Sequence, residues 1–132
     1  MPSIDNKEFS RVLEQRTLQF AVFIIRLSAS LPNNPEVNVI KNQMTKSGTS
    51  IGANYREANR AKSKADFRNK IKIVESEASE TVYWLEVVTE ATFVQKESWT
   101  QFCKNAMIFW RFSLQLERNF RGEGSVKCRV WS

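Results

Sequence analysis

The stretch SGTSIGANYREANRAKSKADFRNKIKIVESEASETVYWL, from Ser47 to Leu85, decides the fold. Read in heptads, its first half extends a stripe of Ile40, Met44, Ser47, Ile51, Asn54, Ala58 and Ala61. Its second half forms a stripe of Phe67, Ile71, Val74, Ala78, Thr81, Leu85 and Val88. A repeat of three and four residues puts each set on one face of a helix. The short polar turn between them predicts a helical hairpin. Polar residues interrupt the apolar stripes, and an unpaired polar group in a core is costly. Ser47, Asn54, Glu57 and Glu80 are therefore a candidate buried polar cluster, either a hydrogen-bonded register lock of the kind a seam asparagine provides or a ligand site.

Outward from this stretch, each expected helix has a start signal. Asp5 with Glu8, Asn34 followed by Pro35 and Glu36, Ser63 with Asp66, and Ser98 with Gln101 are the four candidates. Leu31-Pro32 closes the first helix near Ser30, and Gly122 and Gly124 follow the end of the last near Phe120. Leu13, Phe20, Ile24 and Leu27 give the first helix a seam, and Phe102, Ala106, Phe109, Ser113, Leu116 and Phe120 give the fourth one. Short links favour an all-α, antiparallel up-down-up-down four-helix bundle. Its expected domain is 1–120, followed by a flexible C-terminal tail, 121–132. Gly48 and Gly52, with Ser47, read as small residues that let two helices approach closely.

The chain has 132 residues, one domain's worth, of which 42% are apolar. The apolar run from Phe20 to Ile25 is too short to span a bilayer, and the N-terminus lacks a secretory segment. No membrane association and a cytoplasmic location are expected. Cys103 and Cys128 do not make a disulfide framework and read as free thiols.

Two faces carry more apolar surface than one seam needs. Leu18, Val22 and Ile25 lie away from the first helix's seam, and Met107, Trp110 and Leu114, with Cys103, lie beside the fourth's. Wide exposed apolar patches mark interfaces, so self-association through these residues is expected.

The formal charge is +6 and unevenly placed. Residues 1–40 balance to zero, while residues 41–72 hold nine basic and two acidic side chains, +7. Residues 73–100 sum to −5 and residues 101–132 to +4. The hairpin gathers Arg56, Arg60, Lys62, Lys64, Arg68, Lys70 and Lys72 at one end of the bundle. The expected topology adds Arg118 and Arg121 from the fourth helix. Such a pole attracts polyanions through counterion release and predicts weakly sequence-specific nucleic-acid binding. Tyr55 is the one aromatic interleaved with these turn-side cations, and a single ring is a thin basis for base stacking. The competing reading is a protein-interaction module with a solvated basic surface.

There is no histidine, which removes the commonest general base, Ser-His and Cys-His pairs, and imidazole metal ligands. Glu77 and Glu80, or Glu86 and Glu90, read as solvated or ion-paired helix faces rather than a metal site. Ser47-Gly48-Thr49-Ser50 lacks the spacing of a phosphate loop. Tyr83 and Trp84 suit a core or an interface better than a cofactor box. No enzymatic activity, cofactor or metal is expected.

The pattern S-x-x-S-I-x-x-N-x-x-E-A followed by E-A-x-E-x-x-Y-W-L resembles bacterial four-helix-bundle proteins of the 23S rRNA intervening-sequence type. Ser47, Ile51, Asn54, Glu57, Ala58, Glu80, Trp84 and Leu85 match it, whereas Tyr55, Val74 and Glu75 depart from it. The accessory variability proteins of diversity-generating retroelements are more distantly similar. The resemblance implies a homo-oligomer, a pentameric ring in related proteins, and RNA-related or retroelement-related partners, among them a reverse transcriptase.

Overall fold

A computed structural model describes residues 6–91, with side chains from residue 7. Three helices fill that span: α1, Asn6–Ser30, α2, Pro35–Asn59, and α3, Lys64–Glu90. No strand occurs among the described residues. The expected fourth helix, the tail and both cysteines lie outside them, as do Arg118, Arg121, Met107, Trp110 and Leu114.

The two described starts are built as the side chains dictate. Asn34 Oδ1 accepts from the Val37 amide at 2.9 Å, with Pro35 in the first turn where its missing N–H costs nothing. Ser63 Oγ accepts from the Asp66 amide at 3.0 Å. α1 ends at Ser30, before Pro32. At 1.5 Å per residue each helix is roughly 38–40 Å long.

α2 packs against both α1 and α3. Its partners step along the other helices in reverse order. Gly48 meets Ile24, Gly52 meets Thr17 and Tyr55 meets Ser10 on α1. Ser47 meets Thr81 and Glu57 meets Lys70 on α3. The α3 seam is buried throughout, from Phe67 to Val88. On α2 the buried arc is displaced from the heptad reading: Val37, Met44, Gly48, Ile51, Tyr55 and Ala58 are inside with Ser47, while Asn54 is half-buried. A helix with two packing partners centres its buried arc between them, and that rotation draws in Tyr55 at the expense of Asn54.

The α1–α2 contact depends on the absence of side chains. A Cβ at Gly48 would stand 2.9 Å from Ile24 Cγ1 and Cγ2, and one at Gly52 would stand 3.0 Å from Thr17 Cβ. Both neighbours are β-branched, stiff at χ1 and unable to swing away cheaply. Alanine's helix propensity favours Gly48→Ala by about 1 kcal/mol, but overpacking costs about 1–3 kcal/mol. Gly48→Ala should therefore lower stability in urea denaturation, and the double variant Gly48→Ala with Ile24→Ala should lose less than the sum of the two single changes. Strict additivity would show that the two residues do not press on each other.

Candidate nucleic-acid interface and the α3 face

The four-residue link 60–63 turns the chain from α2 into α3, and it sets the basic cluster. Arg56 and Arg60 leave the end of α2, Lys62 lies in the link, and Lys64 opens α3; all four are exposed. Lys72 is exposed about 12 Å along α3, taking 1.5 Å per residue. Arg68 is half-buried, and its Nε is shielded from water without a hydrogen-bond partner. Lys70 Nζ donates to Glu57 Oε2 at 2.6 Å. That hydrogen bond, with the carboxylate's charge behind it, holds Lys70 above the ordinary lysine range. Among the described residues this is the cluster's only ion pair. Five cations, Arg56, Arg60, Lys62, Lys64 and Lys72, thus face solvent around one turn, flanked by Arg68 and the neutralised Lys70.

Tyr55 does not join them. It is buried at 1% exposure, with its hydroxyl hydrogen-bonding the side chains of Ser10 and Asn59. Burial holds the phenol above its ordinary value, with the Glu14 charge adding to the effect and the hydrogen bonds opposing it. A ring sealed between α1 and α2 cannot stack on a base.

The proposed buried cluster of four polar residues is not assembled either. Ser47 is buried, but its partner is Thr81, 2.9 Å away across the α2–α3 seam. Each hydroxyl has one proton and two lone pairs. The pair is satisfied by passing one proton between the two oxygens and the other to Glu77 O at 2.7 Å or Met44 O at 3.3 Å. Asn54 instead donates to the Ser50 carbonyl of its own helix at 2.8 Å. Glu57 and Glu80 are exposed, the first on Lys70 and the second accepting from Trp84 Nε1 at 3.3 Å. The long carboxylates fall just outside the buried arc, where water solvates them, and only short hydroxyls fit within it. Thr81 stood on the α3 seam in the sequence; its position opposite Ser47 in the hairpin was the available signal.

Leu18, Val22 and Ile25 are exposed on α1, at 45%, 40% and 49%. A second apolar surface lies on α3, where exposed Ile73 joins the Tyr83 and Trp84 pair that the sequence assigns to a core or an interface. Ile73 and Tyr83 are exposed at 41% and 56%, and the Tyr83 ring meets half-buried Trp84 edge-on at 5.1 Å. Glu77 and Glu80 share this face. Among the described residues no group of three or more acidic, cysteine or histidine side chains is placed to hold a metal ion. None of the described helices is long and apolar enough to cross a membrane.

Residues 11–108 match the family model described as "23S rRNA-intervening sequence protein". The chain belongs to that family. It is also similar to a crystal structure of a protein of unknown function from the S23 ribosomal protein family of Bacteroides thetaiotaomicron. The two are 36% identical with a TM-score of 0.77, over 83% of this chain and 97% of that one. Among curated proteins, none matches the chain. Ser47, Asn54, Glu57, Glu80 and Trp84, which carried the resemblance, all lie within the matched span.

Glu77 gives the α3 face a pH dependence. Desolvation, and then the Glu80 charge, raise its pKa above the ordinary 4.5, while Lys46 opposes them. The folded chain binds this proton more tightly than the unfolded chain. Stability from this group is therefore present at low pH and is lost as pH rises through the folded value. Glu77→Gln should raise the urea midpoint at neutral pH and leave it nearly unchanged at about pH 3, well below both values, where both states hold the proton. An equal gain at both values would assign the effect to something other than ionisation.

Proposed function

We propose that this chain is a non-enzymatic, self-associating four-helix bundle that binds RNA or DNA through the α2–α3 turn. The observation that carries the reading is the cluster of five solvent-facing cations at one turn, with a single neighbouring lysine neutralised. Counterion release from a phosphate backbone rewards such a cluster. The family's description, which names an rRNA intervening sequence, fits a polyanionic partner. In this reading residues 98–120 form the fourth helix of an antiparallel up-down-up-down bundle, and Arg118 and Arg121 extend the basic pole. Self-association into a ring uses the apolar faces, including Leu18, Val22 and Ile25, and multiplies the charge presented to one polymer. The chain works in the cytoplasm without a cofactor, and a retroelement reverse transcriptase is a fitting protein partner. With Tyr55 buried and no element aimed at base edges, recognition rests on the backbone and is weakly sequence-specific.

A salt titration with labelled single-stranded RNA and duplex DNA tests this. Log K should fall against log salt by about 0.7 per phosphate neutralised on single strands and about 0.9 on duplex. Reversing Arg60, Lys62 and Lys64 to glutamate should abolish binding while the helical content and oligomer persist. Glu57→Gln, which releases Lys70, should tighten binding and steepen the salt slope by about 0.7–0.9. No binding by the wild-type chain at about 50 mM salt, where polyelectrolyte attraction is strong, would instead favour a protein-interaction module.

A further inference from the structure

We infer that the nucleic acid runs lengthwise along α2, from the α2–α3 turn to a second phosphate seat in the cleft between α1 and α2. This rests on the binding proposed above and deepens it by giving the polymer a path. On α2, Asn42, Lys46, Thr49, Ala53, Arg56 and Arg60 recur at four, three, four, three and four residues and share one face. Thr49 is half-buried and the other five are exposed. α1 and α3 pack on two sides of α2, and this stripe lies on the side that neither covers. At 1.5 Å per residue, Lys46 stands about 21 Å from Arg60 along the helix.

Charge on this side is of one sign. No carboxylate occurs between Glu14 and Glu36, nor between Glu36 and Glu57. Glu14 accepts from Asn59, Glu57 holds Lys70, and Glu36 lies in the first turn of α2, outside the cleft. Between Lys46 and Arg56 the stripe holds only Thr49 and Ala53, whose small side chains let a sugar-phosphate backbone lie close.

The far end of the stripe opens into a cleft of about 510 Å³. Ser28 of α1 and Lys41, Asn42, Thr45 and Lys46 of α2 line it, beside the apolar side chains of Ile25 and Ala29. Ser28 is buried and Lys41 half-buried. Among the described residues none of these five polar side chains makes a hydrogen bond or an ion pair. The Lys46 charge reaches Glu77 on α3, but the two do not pair. Lysine, serine, threonine and asparagine are side chains that commonly hold phosphate oxygens in nucleic-acid complexes. Donors gathered in a concave site without partners inside the fold are satisfied by an anion, and two ammonium groups give it charge-assisted bonds. A polymer reaches both the cleft and the turn, whereas a small anion would leave the stripe between them unused.

Charge-matched single substitutions test the path. Lys41→Gln and Lys46→Gln each remove one cation from the cleft, and Arg26→Gln removes one from α1 outside it. Circular dichroism melting checks that each variant keeps its helices. For each cleft lysine removed, the slope of log K against log salt should flatten by about 0.7 on single-stranded RNA and about 0.9 on duplex DNA. The double variant should lose about twice that, and Arg26→Gln should leave the slope unchanged. Flattening with one polymer alone names the one that takes this path. Cleft substitutions that move the slope no more than Arg26→Gln does overturn the path, while binding through Arg60, Lys62 and Lys64 stands. A wild-type chain that binds neither polymer at about 50 mM salt overturns the binding itself, and the path with it.

Discussion

The structure depends on the bare backbone of α2 at Gly48 and Gly52. These two positions let α1 lie so close that a single added carbon at Gly48 would stand 2.9 Å from Ile24. With α1 seated there, α2 becomes a shared helix, packed by α1 on one side and α3 on the other. Its buried arc must cover both. That requirement puts Tyr55 in the core with its hydroxyl on Ser10 and Asn59, and it leaves Asn54 at the margin.

On the α3 side the same helix uses a different device. Ser47 and Thr81 are buried, and their hydroxyls meet at 2.9 Å. Each has a carbonyl of its own helix as an alternative acceptor, so neither is orphaned. A polar contact at one level of an apolar seam penalises a slip of α3 along α2, because a slipped register loses the hydrogen bond between the two hydroxyls and sets their oxygens against hydrocarbon. The ion pair of Glu57 with Lys70, nearer the turn, adds to the same register from outside.

Charge is arranged along a different logic from packing. The link 60–63 is short, so the cations that close α2 and open α3 are crowded together with few carboxylates among them. Crowding like charges costs little where water solvates each one, and it creates the field on which the proposed polyanion binding rests. Apart from Asp66 in its first turn, the acidic residues of α3 lie farther along the helix, Glu77 and Glu80 among them beside Ile73 and Trp84. The chain therefore separates its charges along α3, mostly basic near the turn and acidic farther on.

Periodicity, caps and composition determined the helices by themselves. The α3 seam was readable residue by residue, as were the Asn34 and Ser63 caps and the end of α1 at Ser30. These depend on local rules: which face a repeat of three and four residues makes, and which side chain can accept from an orphan amide. Gly48 and Gly52 were recognisable as sites of close approach, though not which helix they admit. What tertiary structure alone decided was the rotation of α2 about its axis. Two neighbours must share it, and an offset of one residue moves Tyr55 inside while Asn54 stays at the edge. The same rotation leaves Glu57 in water and sets Ser47 against Thr81, while Glu80 lies off the α3 seam. A heptad repeat describes a helix with one partner, and the direction of a second partner is not written in the spacing of the first.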